Sequence, residues 1–347
     1  MSKEPKPVDW QAIGPSARME STLNYADWKL TADTNDKNEP SRYKSTGHTI
    51  SDAHSIEEGG RTYQAYKDGQ KSSYYLPNDG AEQDRLDVQH KMFRVLLDGK
   101  LGLAPVPVDK PFHVLDIATG TGIWALDYAE ENPLSRVTGT DLSLIQPKRT
   151  WVPNCEFIRD DAEDSWLFPQ KFDYIHLRAI ASCFSDTQAV MKQAFDHMNE
   201  GAYIELQDFV AVCIGDETME GTGIHRWAQL LNTGFLAMGR DMLRATRYKA
   251  WLEEIGFTDV VELRESMPTN AWPRDRKYKE VGRWATLDCA SGIPGLSTRA
   301  LPAAGLTPEE CLRVVQQALN DIHNRSIHAI IPIYIVYGRK PFAHESK

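Results

Sequence analysis

The sequence predicts an α/β protein built on an open, mostly parallel sheet, and three observations carry that reading. The first is Phe112 to Glu130, FHVLDIATGTGIWALDYAE, where an apolar run ends in one acid, turns on small residues and passes into helical spacing. The second is Asp141, which closes the next apolar run 19 residues beyond Gly122. The third is the alternation of short apolar strands with amphipathic helices along the rest of the chain.

Phe112 to Ile117 reads as a strand buried on both faces. Ala118 to Gly122 supplies small residues where the backbone turns tightly and approaches a ligand, and a helix runs on from Trp124. Unpaired N–H groups and a positive helix end then favour an anionic or hydroxyl-rich ligand of the nucleotide type. Gly120, Gly122 and Ala125 also fit the dinucleotide pattern G-x-G-x-x-G/A, so the loop alone leaves the nucleotide open. Asp116, four residues before Gly120, is expected to accept from the loop N–H groups and from a cationic amino-acid ligand.

The elements follow in order. Residues 1–55 hold only Val8, Ile13, Leu23, Leu30 and Ile50 as large aliphatics, too few to offset ordering entropy, which predicts a disordered arm. Trp10, Tyr25 and Trp28 are its docking candidates, and removal of residues 1–50 is expected to leave the fold intact. Residues 56–110 read as a lid: an aromatic strand pair after Gly59, a turn at Pro77 to Gly80, and a helix over Ala81 to Leu97. After the central stretch, Arg136 to Thr140 is a strand whose terminal Asp141 suits two ribose hydroxyls. Glu156 to Ile158 is the third strand, closing on Asp160, Asp161 and Ala162, where an acid and a backbone N–H suit adenine. The fourth, Phe172 to Leu177, carries His176 and Arg178 toward the carboxyl ends where ligands collect.

A helix over Thr187 to Met198 precedes a fifth strand in AYIELQDFVAVC. Ile224 to Met242 and Tyr248 to Ile255 are helical by periodicity, with Gly256 as the stop before a strand over Thr258 to Leu263. Thr307 to Glu310 is a capping box that starts a last helix, and HAIIPIYIVYGRKP is the final strand.

Composition bounds the function. The 347 residues carry 41% hydrophobic side chains and a net charge of -10, which argues against a nucleic-acid surface. The five cysteines are scattered and never form C-x-x-C, so reduced thiols and no metal site are expected. With no apolar run of about 18 residues and no signal-peptide core, the expectation is no membrane contact and a cytoplasmic or nuclear location.

Asp-x-x-x-Gly-x-Gly at Asp116 to Gly122 resembles the first motif of class I S-adenosylmethionine-dependent methyltransferases, with Ala118 where Gly is usual. Taken with RTYQAYKDGQKSSYYLPNDGAEQDRLDVQH, FIRDDAEDSW, FDYIHLR, AWPRD and YGRKP, the chain resembles the fungal LaeA-like methyltransferases of secondary metabolism over about Gly59 to Phe342. Leu144, where Pro is usual, and the extra residues Gln70 to Ser73 depart from that pattern. The resemblance implies a Rossmann-like fold with a seven-stranded, mostly parallel sheet and an antiparallel last strand. It implies a methyltransferase domain over 111–342, with a helical cap inserted at about 218–250 and 270–306. It also implies S-adenosylmethionine, not NAD, as the cofactor, held by Tyr63, Tyr66, Asp116, Ala118, Gly120, Gly122, Asp141, Leu142, Asp160, Asp161 and Ala162.

The chemistry expected is in-line attack of an acceptor on the sulfonium methyl. His176 is the candidate general base, because imidazole titrates near neutral pH, with Glu205 and Asp208 as runners-up. Arg178 is expected to bind an acidic substrate or brace Asp141, and Trp227, Trp272, Trp284 and Met238 to build an apolar acceptor pocket. Three functions follow: a small-molecule methyltransferase, a regulator of the LaeA type acting through a protein partner, and a cyclase on a methyltransferase fold.

Overall fold

The computed structural model describes residues 28, 30–33, 55–66, 74–147 and 152–345. A two-stranded hairpin, β1 (Ser55–Glu58) and β2 (Arg61–Gln64), opens the continuous part. It is tied to helix α1 (Gly80–Leu96) through Asp79, whose carboxylate caps the helix by accepting from the Glu82 N–H at 3.0 Å and pairs with Arg61 Nε at 2.5 Å. One acid thereby ends the hairpin connection and starts the helix.

The central sheet begins with β3 (Phe112–Ile117), helix α2 (Ile123–Glu131), β4 (Ser135–Asp141), β5 (Cys155–Arg159) and β6 (Phe172–Arg178). It continues through α3 (Thr187–Asp196), β7 (Met198–Phe209), α4 (Gly223–Ala237), α5 (Tyr248–Ile255), β8 (Thr258–Pro268), α6 (Arg276–Ala303), α7 (Pro308–Ile322) and β9 (Ile330–Arg339). The strand order is β5-β4-β3-β6-β7-β9-β8. Both pairings of β9 are antiparallel, whereas β3 to β7 pair in parallel. This is the seven-stranded, mostly parallel sheet with an antiparallel last strand, and β9 lies between β7 and β8. The chain turns in opposite directions from the β3/β6 pair, which opens a crevice at the carboxyl ends there.

The apolar pattern of β9 shows why the sheet is covered on both sides. Ile333 and Ile335 join one core with Leu231, Val281 and Ile293 of the helices, while Tyr334 and Val336 join the opposite core with Val190 and Leu252. Successive side chains point to opposite faces, and each face meets its own helical layer. Among the described residues no helix is long and apolar enough to cross a membrane.

Two expectations are corrected and one helix is added. The connection from β4 to β5 contains no helix among its described residues, so the repeating strand-helix alternation fails there. Helix α4 stops at Ala237 instead of Met242, because Gly239 takes φ 78 and turns the chain out. Helix α6 runs 28 residues through Pro294 and Pro302, which periodicity did not show. Thr298 donates its hydroxyl back to the Pro294 carbonyl at 3.0 Å, and the helix packs so closely on α4 that a Cβ at Gly234 would lie 1.9 Å from the Ala300 carbonyl oxygen. Tertiary packing sustains what local propensity opposes.

In the arm, Trp28 docks on the domain, as its aromatic character allowed. Trp28 is buried against Tyr334 with ring centroids 5.7 Å apart, and its carbonyl accepts from the Ser266 hydroxyl at 3.2 Å. Ala32 bridges Pro273, the Asp33 N–H donates to the Trp272 carbonyl at 2.7 Å, and Lys279 pairs with Asp33. The remaining calls on residues 1–54, Trp10 and Tyr25 among them, lie outside the described residues. Trp28→Ala should therefore lower unfolding free energy by about 3 kcal/mol in denaturant titrations, while ligand affinity in the crevice stays unchanged.

Candidate active site

The crevice at the carboxyl ends of β3 to β6 is a cleft of about 1140 Å³, part of it open to solvent. Its floor is set by the turn from β3 into α2. Ala118, Gly120 and Gly122 all take positive φ, at 55, 58 and 80. A side chain on Gly122 would bring a Cβ within 2.4 Å of the Phe157 ring, so only glycine fits there. The Gly120 N–H donates to Asp141 Oδ2 at 2.9 Å, and the Ser143 N–H donates to Asp141 Oδ1 at 2.9 Å. Burial pushes the Asp141 carboxyl up to about 6, against the pull of those N–H donors.

Asp116 does not bind the Gly loop backbone, which corrects the expectation for it. Its Oδ2 accepts from the Thr119 hydroxyl at 2.5 Å, and its Oδ1 lies 2.8 Å from His176 Nδ1. Because a carboxylate only accepts, Nδ1 carries the proton and Nε2 is bare. Burial lowers the His176 pKa, opposed by the Asp116 hydrogen bond, so the imidazole is neutral. The ring is fully buried and stacks on Trp124 with centroids 3.7 Å apart, and Nε2 has neither a partner nor solvent contact. His176 is therefore removed as general base: a base must reach the acceptor, and this ring holds Asp116 from below.

Arg178 is also reassigned. It donates Nε to Gln207 Oε1 at 2.8 Å and Nη2 to the Leu101 carbonyl at 3.2 Å, and its guanidinium lies over Phe93 at 4.6 Å. These contacts brace β6 against β7 and α1, and none of them reaches Asp141. Glu205 is consumed likewise by the N–H groups of Leu103 and Ala104, the Tyr174 hydroxyl and Gln207. Glu205 has no capacity left for a substrate, whereas Arg178 keeps two of its five N–H groups beyond its bonds to Gln207, His90 and Leu101.

Asp116, Ala118, Gly120, Asp141, Leu142, Asp160, Asp161 and Ala162 all line the cleft, as do His176 and Arg178. Gly122 shapes the loop from beneath. Tyr63 and Tyr66 stand outside the cleft, Tyr63 buried under Arg299 at 4.1 Å and Tyr66 exposed beside Arg159. Sequence reasoning missed Tyr74, Asn78, Gln89 and His90, which α1 and its approach bring to the cleft wall. Asn78 reaches Ser143 Oγ at 3.3 Å, linking that wall to the end of β4. The nearest available signal was the block YYLPND just ahead of the helix.

An inner cavity of about 880 Å³, part of it open to solvent, adjoins the cleft and shares Tyr74, Leu86, Gln89 and Ala179 with it. Leu76, Phe209, Val212, Trp227, Leu231 and Ile293 make its wall predominantly apolar. Trp227 thus lines this cavity, its indole N–H donating to Ser297 Oγ at 2.9 Å. Trp272 does not: it lies in the opposite core, with its N–H on the Ala329 carbonyl at 3.1 Å. Trp284 and Met238 pack outside both cavities. Asp208 sits at the end of β7 under the inner wall, taking the Tyr248 hydroxyl at 2.6 Å, and burial pushes its carboxyl up to about 6.

A doubly wound sheet, a Gly loop against two strand-end acids and an adjoining apolar cavity define a protein with a nucleotide-type cofactor site. The methyltransferase-domain family matches residues 88–263, and the chain belongs to that family. It is 33% identical over 289 residues to the methyltransferase pytC of Aspergillus terreus, covering 82% of this chain and 87% of that protein. It is 32% identical over 292 residues to laeA of Emericella nidulans, covering 82% of this chain and 76% of that one. Among solved structures, phosphoethanolamine N-methyltransferase 2 of Haemonchus contortus matches at 15% identity and a TM-score of 0.42, covering 74% of this chain and 52% of that one. The chain is accordingly a methyltransferase of the fungal secondary-metabolism group, and its methyl donor is S-adenosylmethionine. The cleft fits that donor: carboxylates at two strand ends offer acceptors for hydroxyls and an exocyclic amine, and the loop between them carries no side chain at Gly120.

Ala118 occupies a backbone conformation that disfavours a Cβ, at φ 55. Ala118→Gly should raise stability by up to about 1 kcal/mol in chemical denaturation, whereas Ala125→Gly inside α2 should lower it by about as much.

Proposed function

We propose that this chain methylates a small molecule seated in the inner cavity. The observation that carries the reading is the mainly apolar cavity that shares Tyr74, Leu86, Gln89 and Ala179 with the donor cleft. Methyl transfer needs donor and acceptor at contact with water excluded, and such positioning alone lowers a barrier by about 7–11 kcal/mol. Two adjoining compartments with a shared wall support that arrangement. A recess lined by apolar helix faces also favours a compact apolar acceptor over a folded protein.

S-adenosylmethionine supplies an activated methyl group on a sulfonium. Asp141 would accept from its ribose hydroxyls, while Asp160, Asp161 and Ala162 after β5 would hold its adenine. Ala118 and Gly120 keep the loop backbone low enough for close approach. Asp116, held by His176 and Thr119, fixes that loop in place. The family expectation that Tyr63 and Tyr66 touch the donor is replaced by Tyr74, which stands where the two compartments meet.

A second reading has one observation in its favour. The laeA relative of Emericella nidulans is named a protein-methionine methyltransferase, which points to a thioether on a protein as acceptor. The two readings separate in one experiment. The protein is incubated with methyl-labelled donor and a fungal extract divided into small molecules and proteins, and label is followed by mass spectrometry. The expected result is a labelled small molecule; label confined to protein methionines would replace this reading with the second.

The role of Asp141 has a pH signature. Its ionised form accepts the ribose hydroxyls, and the free protein holds its pKa at about 6. Donor affinity should therefore be full above about pH 6 and weaken by up to tenfold per unit as the pH falls below it. Calorimetric titration of the donor product S-adenosylhomocysteine across about pH 5 to 8 checks this. Asp141→Asn should bind more weakly throughout and lose the pH dependence.

A further inference from the structure

Apart from Ser182 and Asp208 near the strand ends, the charged and polar groups of the inner cavity gather where α1 and α6 face each other. There Arg85 donates Nη2 and Nε to the two oxygens of Glu82 at 2.7 and 3.0 Å, and Nη1 to Asp288 Oδ1 at 2.7 Å. All three side chains are more than nine-tenths buried. Two carboxylates against one guanidinium leave the cluster one negative charge in excess, and a buried net charge is costly without a counter-charge. Arg85 and Asp288 both line the cavity wall. Asp288 Oδ2, the oxygen that Arg85 does not use, has only a long 3.4 Å contact from Gln89 Nε2.

We propose that the inner cavity selects an acceptor bearing an amine, whose ammonium group docks on Asp288 Oδ2 while its apolar body packs on Trp227, Phe209 and Tyr74. This rests on the small-molecule reading and names the substrate class within it. A bound ammonium neutralises the excess charge of the Glu82–Arg85–Asp288 cluster and completes the hydrogen bonding of Asp288. The aromatic faces around it suit a cation as well as an apolar ring. An acid is disfavoured, because Arg85 is the only cation on the cavity wall among the described residues and both edges of its fork are already taken. Asp208, beneath the same wall, adds further repulsion to an anion.

The test uses three probes with a common indolylethyl body: tryptamine, 3-propylindole and indole-3-propionate, ending in ammonium, methyl and carboxylate. Each is titrated calorimetrically into the full chain saturated with S-adenosylhomocysteine. Tryptamine should bind at least tenfold more tightly than 3-propylindole, with indole-3-propionate the weakest. In Asp288→Asn, which keeps the oxygen that holds Arg85, the gap between the first two should close to within about threefold. No binding of tryptamine, a preference below tenfold, or an equal affinity for the carboxylate would overturn the proposal. So would a gap that persists in the variant, and if the variant fails to fold, the ranking in the unmodified protein decides alone. Labelling of a neutral or acidic metabolite by this chain would also overturn the amine assignment while leaving the small-molecule reading standing.

Discussion

The hydrogen bond between Asp116 and His176 is the interaction on which the site depends. The two residues sit directly opposite each other on β3 and β6, the central pair from which the sheet winds in both directions. Asp116 is buried, and a buried carboxylate left unpaired costs several kcal/mol. His176 on one oxygen and the Thr119 hydroxyl on the other remove that cost and also pin the first turn of the Gly loop. The left-handed backbone at Ala118 is held by this closure. Ala179, at the matching end of β6, takes the same φ of 55 and lines both cavities. The mouth of the crevice is thus framed by two residues whose backbones the sheet, not their side chains, dictates.

The two compartments are built by different means. The donor cleft is made from strand ends, so its polar groups are spaced by the sheet itself and braced by short-range bonds such as Gly120 N–H to Asp141. The inner cavity is made from helices α1, α4 and α6 laid over the other half of the sheet, and its Arg85–Asp288 pair comes from two facing helices. Sheet geometry is rigid, so the cleft holds one kind of donor. Helix faces are free to vary side chain by side chain, so the inner cavity is the more variable of the two compartments.

Much of the donor side was legible because the residues concerned are close in the chain as well as in space. The apolar strand, the small-residue turn, the helix after it and the acids closing β4 and β5 are local signals, and Asp141, Asp161 and Gly120 do meet in one cleft. The capping box at Thr307 and the helix stop at Gly256 were equally local, and both stand in the structure. What failed locally failed for a tertiary reason. Helix α6 contains two prolines and four glycines or serines in its second half, yet packing on α1 and α4 keeps it helical.

Sequence by itself determined the class of sheet, the position of the Gly loop and the acids that would surround a nucleotide, because each follows from spacing within one strand-turn-helix unit. Tertiary structure alone decided what each polar side chain does, because its partners come from strands and helices far away in the chain. Asp116 found His176 60 residues on, and Arg85 found Asp288 203 residues on. Two tryptophans that look alike in sequence part company for the same reason: Trp227 faces the inner cavity, and Trp272 is sealed in the opposite core by the neighbourhood of Trp28 and Tyr334. Periodicity tells which residues are buried, but the face of the sheet on which a buried ring ends is set only when every strand has its neighbour.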